Sequence, residues 1–145
     1  YGLNVGGSYT MNDAPIDNDP DNSVSISLME LNMQYSRNNI RAVAEYGSIS
    51  YENNPSEVTG TSGYYIDLGY DVASLFKIDG SIIPWARYSA INKDNNAIDS
   101  QYTKMVFGLC YKPIDQIAFK IDYGIQNPAD GDATTLINMG AGYNF

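Results

Sequence analysis

Between its turn signals this chain alternates apolar and polar residues one by one, and that period of two limits what it can fold into. Residues 63–72 show it most cleanly. Tyr64, Ile66, Leu68 and Tyr70 fall on one side, and Tyr65, Asp67, Gly69 and Asp71 fall on the other. Such spacing makes a β-strand with one apolar and one hydrated face, because successive side chains of a strand point to opposite sides. The last twelve residues repeat it, with Ile137, Met139, Ala141, Tyr143 and Phe145 opposed to Asn138, Gly140, Gly142 and Asn144. No run approaches the 18 or so apolar residues of a membrane-crossing helix.

The pattern recurs along the chain. Strands are expected over residues 1–11, 23–36, 40–51, 63–72, 81–91, about 103–111, 117–126 and 134–145. Between them lie an acidic loop (12–22), the turn Arg37-Asn38-Asn39, a loop (52–62), and a somewhat longer turn (73–80). A polar loop (92–100), a turn containing Pro113 and a loop (127–133) complete the set. Strands and turns, with no helix, are expected from residue 63 onward. The slip of parity at Leu28-Met29 predicts a β-bulge or a strand extending beyond the membrane. Pro84 lacks a ladder donor, so an irregularity is expected there too.

Long and short connections at alternate ends are the signature of an all-β, antiparallel up-and-down barrel that crosses a membrane. The reading is a single domain, residues 1–145, with eight strands. A soluble lipocalin-like barrel also alternates, with its apolar set inside. Three features favour apolar outside: tyrosines at strand ends on the apolar side, glycines beside charges on the other, and an aromatic last residue. Thirteen tyrosines suit membrane–water boundaries, where ring and hydroxyl meet different media. With the last strand descending, the four long loops share the outer end. Tyr9, Tyr46, Tyr64, Tyr88 and Tyr123 then form an outer belt. Tyr1, Tyr35, Tyr70, Tyr111, Phe119, Tyr143 and Phe145 form an inner one.

The hydrated face collects Glu30, Gln34, Arg41, Glu45, Asp67, Asp71, Arg87, Lys104, Lys120 and Asp122. Arg41, Glu45, Asp67, Asp71, Arg87, Lys104, Lys120 and Asp122 are the expected pore-lining set, since rings of charge select solutes. In a narrow barrel the same residues would instead be interior ion pairs. Eight strands leave room only for side chains, whereas 16 to 18 leave a water-filled channel.

Other chemistries find little footing. Histidine is absent, which removes Ser-His and Cys-His catalysis and the usual zinc ligands. Asp67 and Asp71 lie on one regular strand with no partner base, so no catalytic site is expected, and no cofactor. Asp17, Asp19 and Asp21 have the opening spacing of a calcium loop, but Asn22 and Leu28 stand where Gly and Glu belong. A solvated acidic loop is the expectation, with no metal. A net charge of −9 offers no basic stripe, so nucleic acid is not an expected partner. Cys110 has no partner for a disulfide and reads as a small residue of the hydrated face. Tyr1 enters a strand at once, as in a processed mature chain or a piece of a longer one.

Asn138, Gly140, Tyr143 and Phe145 resemble the carboxy-terminal signal that hands outer-membrane barrels to their assembly machinery, with Gly140, Tyr143 and Phe145 carrying it. From Gly63 onward the chain resembles the carboxy-terminal part of the phosphate-selective porin O and P family. The stretches are Gly63-Tyr64-Tyr65-Ile66-Asp67-Leu68-Gly69-Tyr70-Asp71, Ile83-Pro84-Trp85-Ala86-Arg87-Tyr88, Phe107-Gly108-Leu109-Cys110-Tyr111-Lys112-Pro113, Ile121-Asp122-Tyr123 and Gly140-Ala141-Gly142-Tyr143-Asn144-Phe145. The resemblance covers a bit over half of the chain and implies a porin more firmly than a phosphate channel. It implies that these are the last eight strands of a 16-stranded trimeric barrel in the outer membrane of a Gram-negative bacterium. It also implies lipid as surroundings and small hydrophilic solutes or ions as cargo. The other reading is a small closed outer-membrane barrel with a structural, adhesive or partner-binding role through its acidic loops.

Overall fold

The structure, a computed structural model, describes residues 2–16, 19–97 and 100–144, with the backbone alone at 16 and 19–22. It is a single antiparallel sheet of eight strands in the order β1-β2-β3-β4-β5-β6-β7-β8, each paired with its neighbours in sequence. The strands are β1 (Leu3–Ile16), β2 (Asp19–Arg37), β3 (Ile40–Glu52), β4 (Gly60–Tyr70), β5 (Ser81–Asn92), β6 (Gln101–Ile114), β7 (Ile117–Asn127) and β8 (Thr134–Tyr143). The sheet does not close: β1 and β8 are its two free edges.

Turn chemistry sets the meander locally. Arg37 pairs with Ile40, so Asn38 and Asn39 form a two-residue hairpin loop. Both have positive φ, 53° and 66°. That is the primed-turn conformation whose twist matches a hairpin, and Asn tolerates it better than most residues.

Three expectations need correction, and one of the two alternatives at Leu28-Met29 falls away. The acidic segment 12–22 is not a free loop, because the β1–β2 ladder continues through Asn12↔Ile26, Asp13↔Ser25 and Ala14↔Val24 to Pro15↔Ser23. Val24 and Ile26, with their high strand propensity, carry the hairpin past the point where turn-forming residues suggested a stop. No bulge occurs at Leu28-Met29; Thr10↔Leu28, Tyr9↔Met29, Leu28↔Ile49 and Met29↔Ser48 run without a shift. β2 instead runs unbroken through that point for 19 residues in all.

Pro84 also sits in an unbroken register, opposite Leu109. The β4–β5 ladder ends one rung earlier, at Gly69↔Trp85, so no strand bond is lost. Finally, the turn after β4 contains one turn of helix, α1 (Ala73–Phe76), closed by Lys77 in the left-handed region. No β-branched residue occupies that four-residue segment, and the Asp71 carboxylate holds its first N–H.

The two faces differ in exposure. Ile66 (47%), Phe107 (50%), Ile121 (48%) and Met139 (78%) are open on the apolar face. Ile83, Val106 and Cys110, on the charged face, are buried at 6–7%. A hollow of about 130 Å³ on the charged face draws its lining from β3 through β7, and the buried Ile83, Val106 and Cys110 make that face the more enclosed of the two. No described side chain is sealed below 2% exposure, so the sheet has no conventional core. Most of its large exposed apolar groups lie on the opposite face, where no other layer of the described chain covers them.

Register brings parts of the expected aromatic rows together. Tyr46 is opposite Tyr64, Ile40 opposite Tyr70, and Tyr111 opposite Phe119. The Tyr64 and Tyr88 rings are 6.1 Å apart. Tyr1 and Phe145, expected in the inner row, lie outside the described residues.

Candidate functional site

The charged face is built rung by rung from strand register. The central rung runs Val43↔Asp67↔Arg87↔Val106↔Gly124. Asp67 and Arg87 are therefore direct cross-strand neighbours, and they form an ion pair. Arg87 Nη2 donates to Asp67 Oδ2 at 2.5 Å and Nε donates to the same oxygen at 3.2 Å. It is the only ion pair among the described residues. Toward the loops, the next rung pairs Glu45 with Tyr65 and Ser89 with Lys104. Tyr65 Oη donates to Glu45 Oε2 at 3.0 Å, and the Arg87 guanidinium lies 4.5 Å from the centre of the Tyr65 ring. Glu45, Tyr65, Arg87 and Asp67 thus form one connected polar strip across three strands.

On the other side of that strip, Gly69 pairs with Trp85, Trp85 with Gly108, and Gly108 with Asp122. A Cβ at Gly108 would come within 2.6 Å of three indole atoms of Trp85, so the absent side chain makes room for the ring. Lys120 Nζ stands 4.9 Å from the indole centre, a cation–π contact. The Trp85 Nε1 is buried without a hydrogen-bond partner. Arg41, Asp67, Trp85, Cys110 and Lys120 line the 130 Å³ hollow. Asp122 is tied outward to β8, where Asn138 Nδ2 donates to Asp122 Oδ1 at 2.7 Å. Glu30 accepts from Ser8 Oγ and Asn32 Nδ2, each at 3.2 Å.

Seven of the eight expected lining residues share this face: Arg41, Glu45, Asp67, Arg87, Lys104, Lys120 and Asp122. Asp71 does not work with them. It lies one residue past the end of β4, and its Oδ1 accepts from the backbone N–H groups of Ala73 (3.0 Å) and Ile82 (3.1 Å). Burial pushes its pKa up, but bonds from Ser81, Ala73 and Ile82 and the charge of Lys112 outweigh that and hold it below the ordinary carboxylate value. Asp71 is a turn-fixing residue. Arg41, Lys104 and Lys120 have no carboxylate within ion-pair distance among the described residues.

Tyr65, Trp85 and Gly108 were absent from the expected set. Parity puts Tyr65 and Trp85 on the right face, but their pairing with Glu45 and Gly108 depends on register between strands. Of the carboxy-terminal motif, Gly140 and Tyr143 lie on the free edge strand β8, whereas Phe145 lies outside the described residues. Asp17 and the side chains of Asp19 and Asp21 are outside them too.

The loop end differs in kind. Ten of the 17 acids and one of the eight basic residues fall in sequence segments 12–22, 52–62, 92–100 and 127–133, so these segments together carry a net charge of −9, the formal charge of the whole chain. Two of these connections are interlocked. Asn95 N–H donates to Gly60 O (2.9 Å), Ser62 Oγ to Asn95 Oδ1 (3.0 Å), and Asn96 Nδ2 to Thr59 Oγ1 (2.7 Å).

Compared with known proteins, the chain matches no family model, no curated protein and no solved structure.

Proposed function

We propose that this chain forms part of the wall of an outer-membrane porin, passing small hydrophilic solutes or ions through a lumen lined by its charged face. One observation carries the reading: an apolar face stays open across all eight strands while the charged side chains gather on the opposite, more enclosed face. In water such a surface would drive association, whereas against lipid it is the solvated side. The unpaired edges β1 and β8 support a wall that is completed by further strands. On this reading the long connections face outward, Gly140 and Tyr143 present the closing strand to the assembly machinery, and the complete barrel assembles as a homotrimer.

The test is reconstitution of the chain in planar bilayers. Stable ohmic conductance is the expected result. A folded, membrane-inserted species that resists protease and conducts nothing would instead favour the small closed barrel acting through its acidic loops. A water-soluble monomer would end both readings.

A further inference from the structure

The turn after β4 exposes apolar side chains at the end of the sheet opposite the acidic loops. Leu75 and Phe76 are each 66% exposed and Ile78 is 44% exposed, yet the segment that carries them is firmly held. Its root is fixed by the two bonds to the Asp71 carboxylate. Asp71 N–H also donates to Asn39 O (2.8 Å), Val72 N–H to Ile82 O (2.8 Å) and Ile78 N–H to Ala73 O (3.1 Å). Asn39 Nδ2 donates to Ser74 Oγ across to the neighbouring hairpin (3.1 Å), and Ala73 is buried at 3%. Three apolar groups are thus presented from a rigid base.

Strand geometry gives them a use. On β4 the exposed apolar rungs run only from Tyr64 to Tyr70, six residue steps. At about 3.3 Å per residue that is about 20 Å along the strand, and about 15 Å along the membrane normal at a tilt near 40°. The apolar band of an outer-membrane barrel is about 25 Å tall. Leu75 follows Tyr70 by five residues, and one helical turn advances only about 5 Å, so the turn stays within the boundary zone next to the last rung. Lys77 has a long enough stem to reach phosphate while its neighbours enter the acyl region.

We propose that residues 73–78 are an anchor in the phospholipid leaflet, with Leu75, Phe76 and Ile78 inserted at the boundary between headgroups and acyl chains. This rests on the membrane reading above, and the test keeps the two apart. Ile66→Trp and Phe76→Trp are each made in a Trp85→Phe background and folded into phosphatidylcholine vesicles whose acyl chains carry bromine. Quenching at both sites is expected, with the Phe76→Trp signal favouring bromine placed near the headgroup. Quenching at position 66 but not at 76, with the latter reached by aqueous iodide, would overturn the anchor and leave the membrane wall standing. Quenching at neither would remove both. If the Trp85→Phe background does not fold, an environment-sensitive dye at Ile66→Cys or Phe76→Cys, each in Cys110→Ser, reads the same three outcomes.

Discussion

The indole of Trp85 on β5 fills the space that a side chain at position 108 on β6 would need. Gly108→Ala must therefore push the ring off β6 and away from Lys120. Overpacking of this kind costs about 1–3 kcal/mol. Urea titration of the folded protein in detergent should show that loss, and Trp85 fluorescence should move to the red. In Trp85→Ala the same glycine substitution should cost far less, which a double-mutant cycle will read as coupling between the two positions.

Asp67 and Arg87 are partly exposed, at 21% and 40% for their side chains. Solvent screening limits such a pair to under about 1 kcal/mol of stability. Asp67→Asn should thus leave the unfolding midpoint nearly unchanged. It should, however, leave the Arg87 charge uncompensated, which a pore lined by this face would register. The reversal potential under a salt gradient is expected to shift toward anions in Asp67→Asn and toward cations in Arg87→Gln.

The positively charged groups without ion pairs make the complementary case. On the porin reading, replacing Arg41, Lys104 and Lys120 by glutamine should lower anion permeability additively, because none of the three leaves a paired carboxylate behind among the described residues. Strongly non-additive shifts would place them in one binding site rather than along a path.

Asp71 ties the turn through charge. Its folded-state pKa is lowered, so its contribution is complete above the ordinary carboxylate range and is lost as pH falls through the folded value. Asp71→Asn should lower stability at neutral pH by about 1 kcal/mol, as loss of a comparable cap does. It should also remove part of the acid-induced decline. Unfolding curves for the two proteins between neutral and acidic pH check both signs.

The Asn38-Asn39 turn offers a local test of backbone conformation. Asn38→Gly should be neutral or stabilising by a few tenths of a kcal/mol, whereas Asn38→Val, with its branched Cβ at φ 53°, should cost about 1–2 kcal/mol. Position 38 is the better choice, since Asn39 also bonds Ser74.

Much of the sheet was legible because alternation is a local signal. Tyr64 through Tyr70 reveal their faces without reference to any other strand. Asp71 shows the limit of that signal: parity groups it with Asp67, but β4 ends at Tyr70 and the carboxylate turns to backbone N–H groups instead. The extended β1–β2 hairpin was hidden because Asp, Asn and Pro favour turns in isolation, while ladder partners such as Val24 and Ile26 override them. The Trp85–Gly108–Lys120 arrangement was hidden for another reason. It exists only once three strands are set in register, and turn geometry fixes that register more than the composition of any one strand.

The meander has one more consequence. With eight strands alternating in direction, β1 and β8 run opposite ways, as two neighbouring strands of an antiparallel ladder must. Any set of strands inserted between these edges to complete a ring must therefore be even in number, zero included. A completed cylinder of sixteen staves meets that rule, and one of fifteen would force a parallel seam.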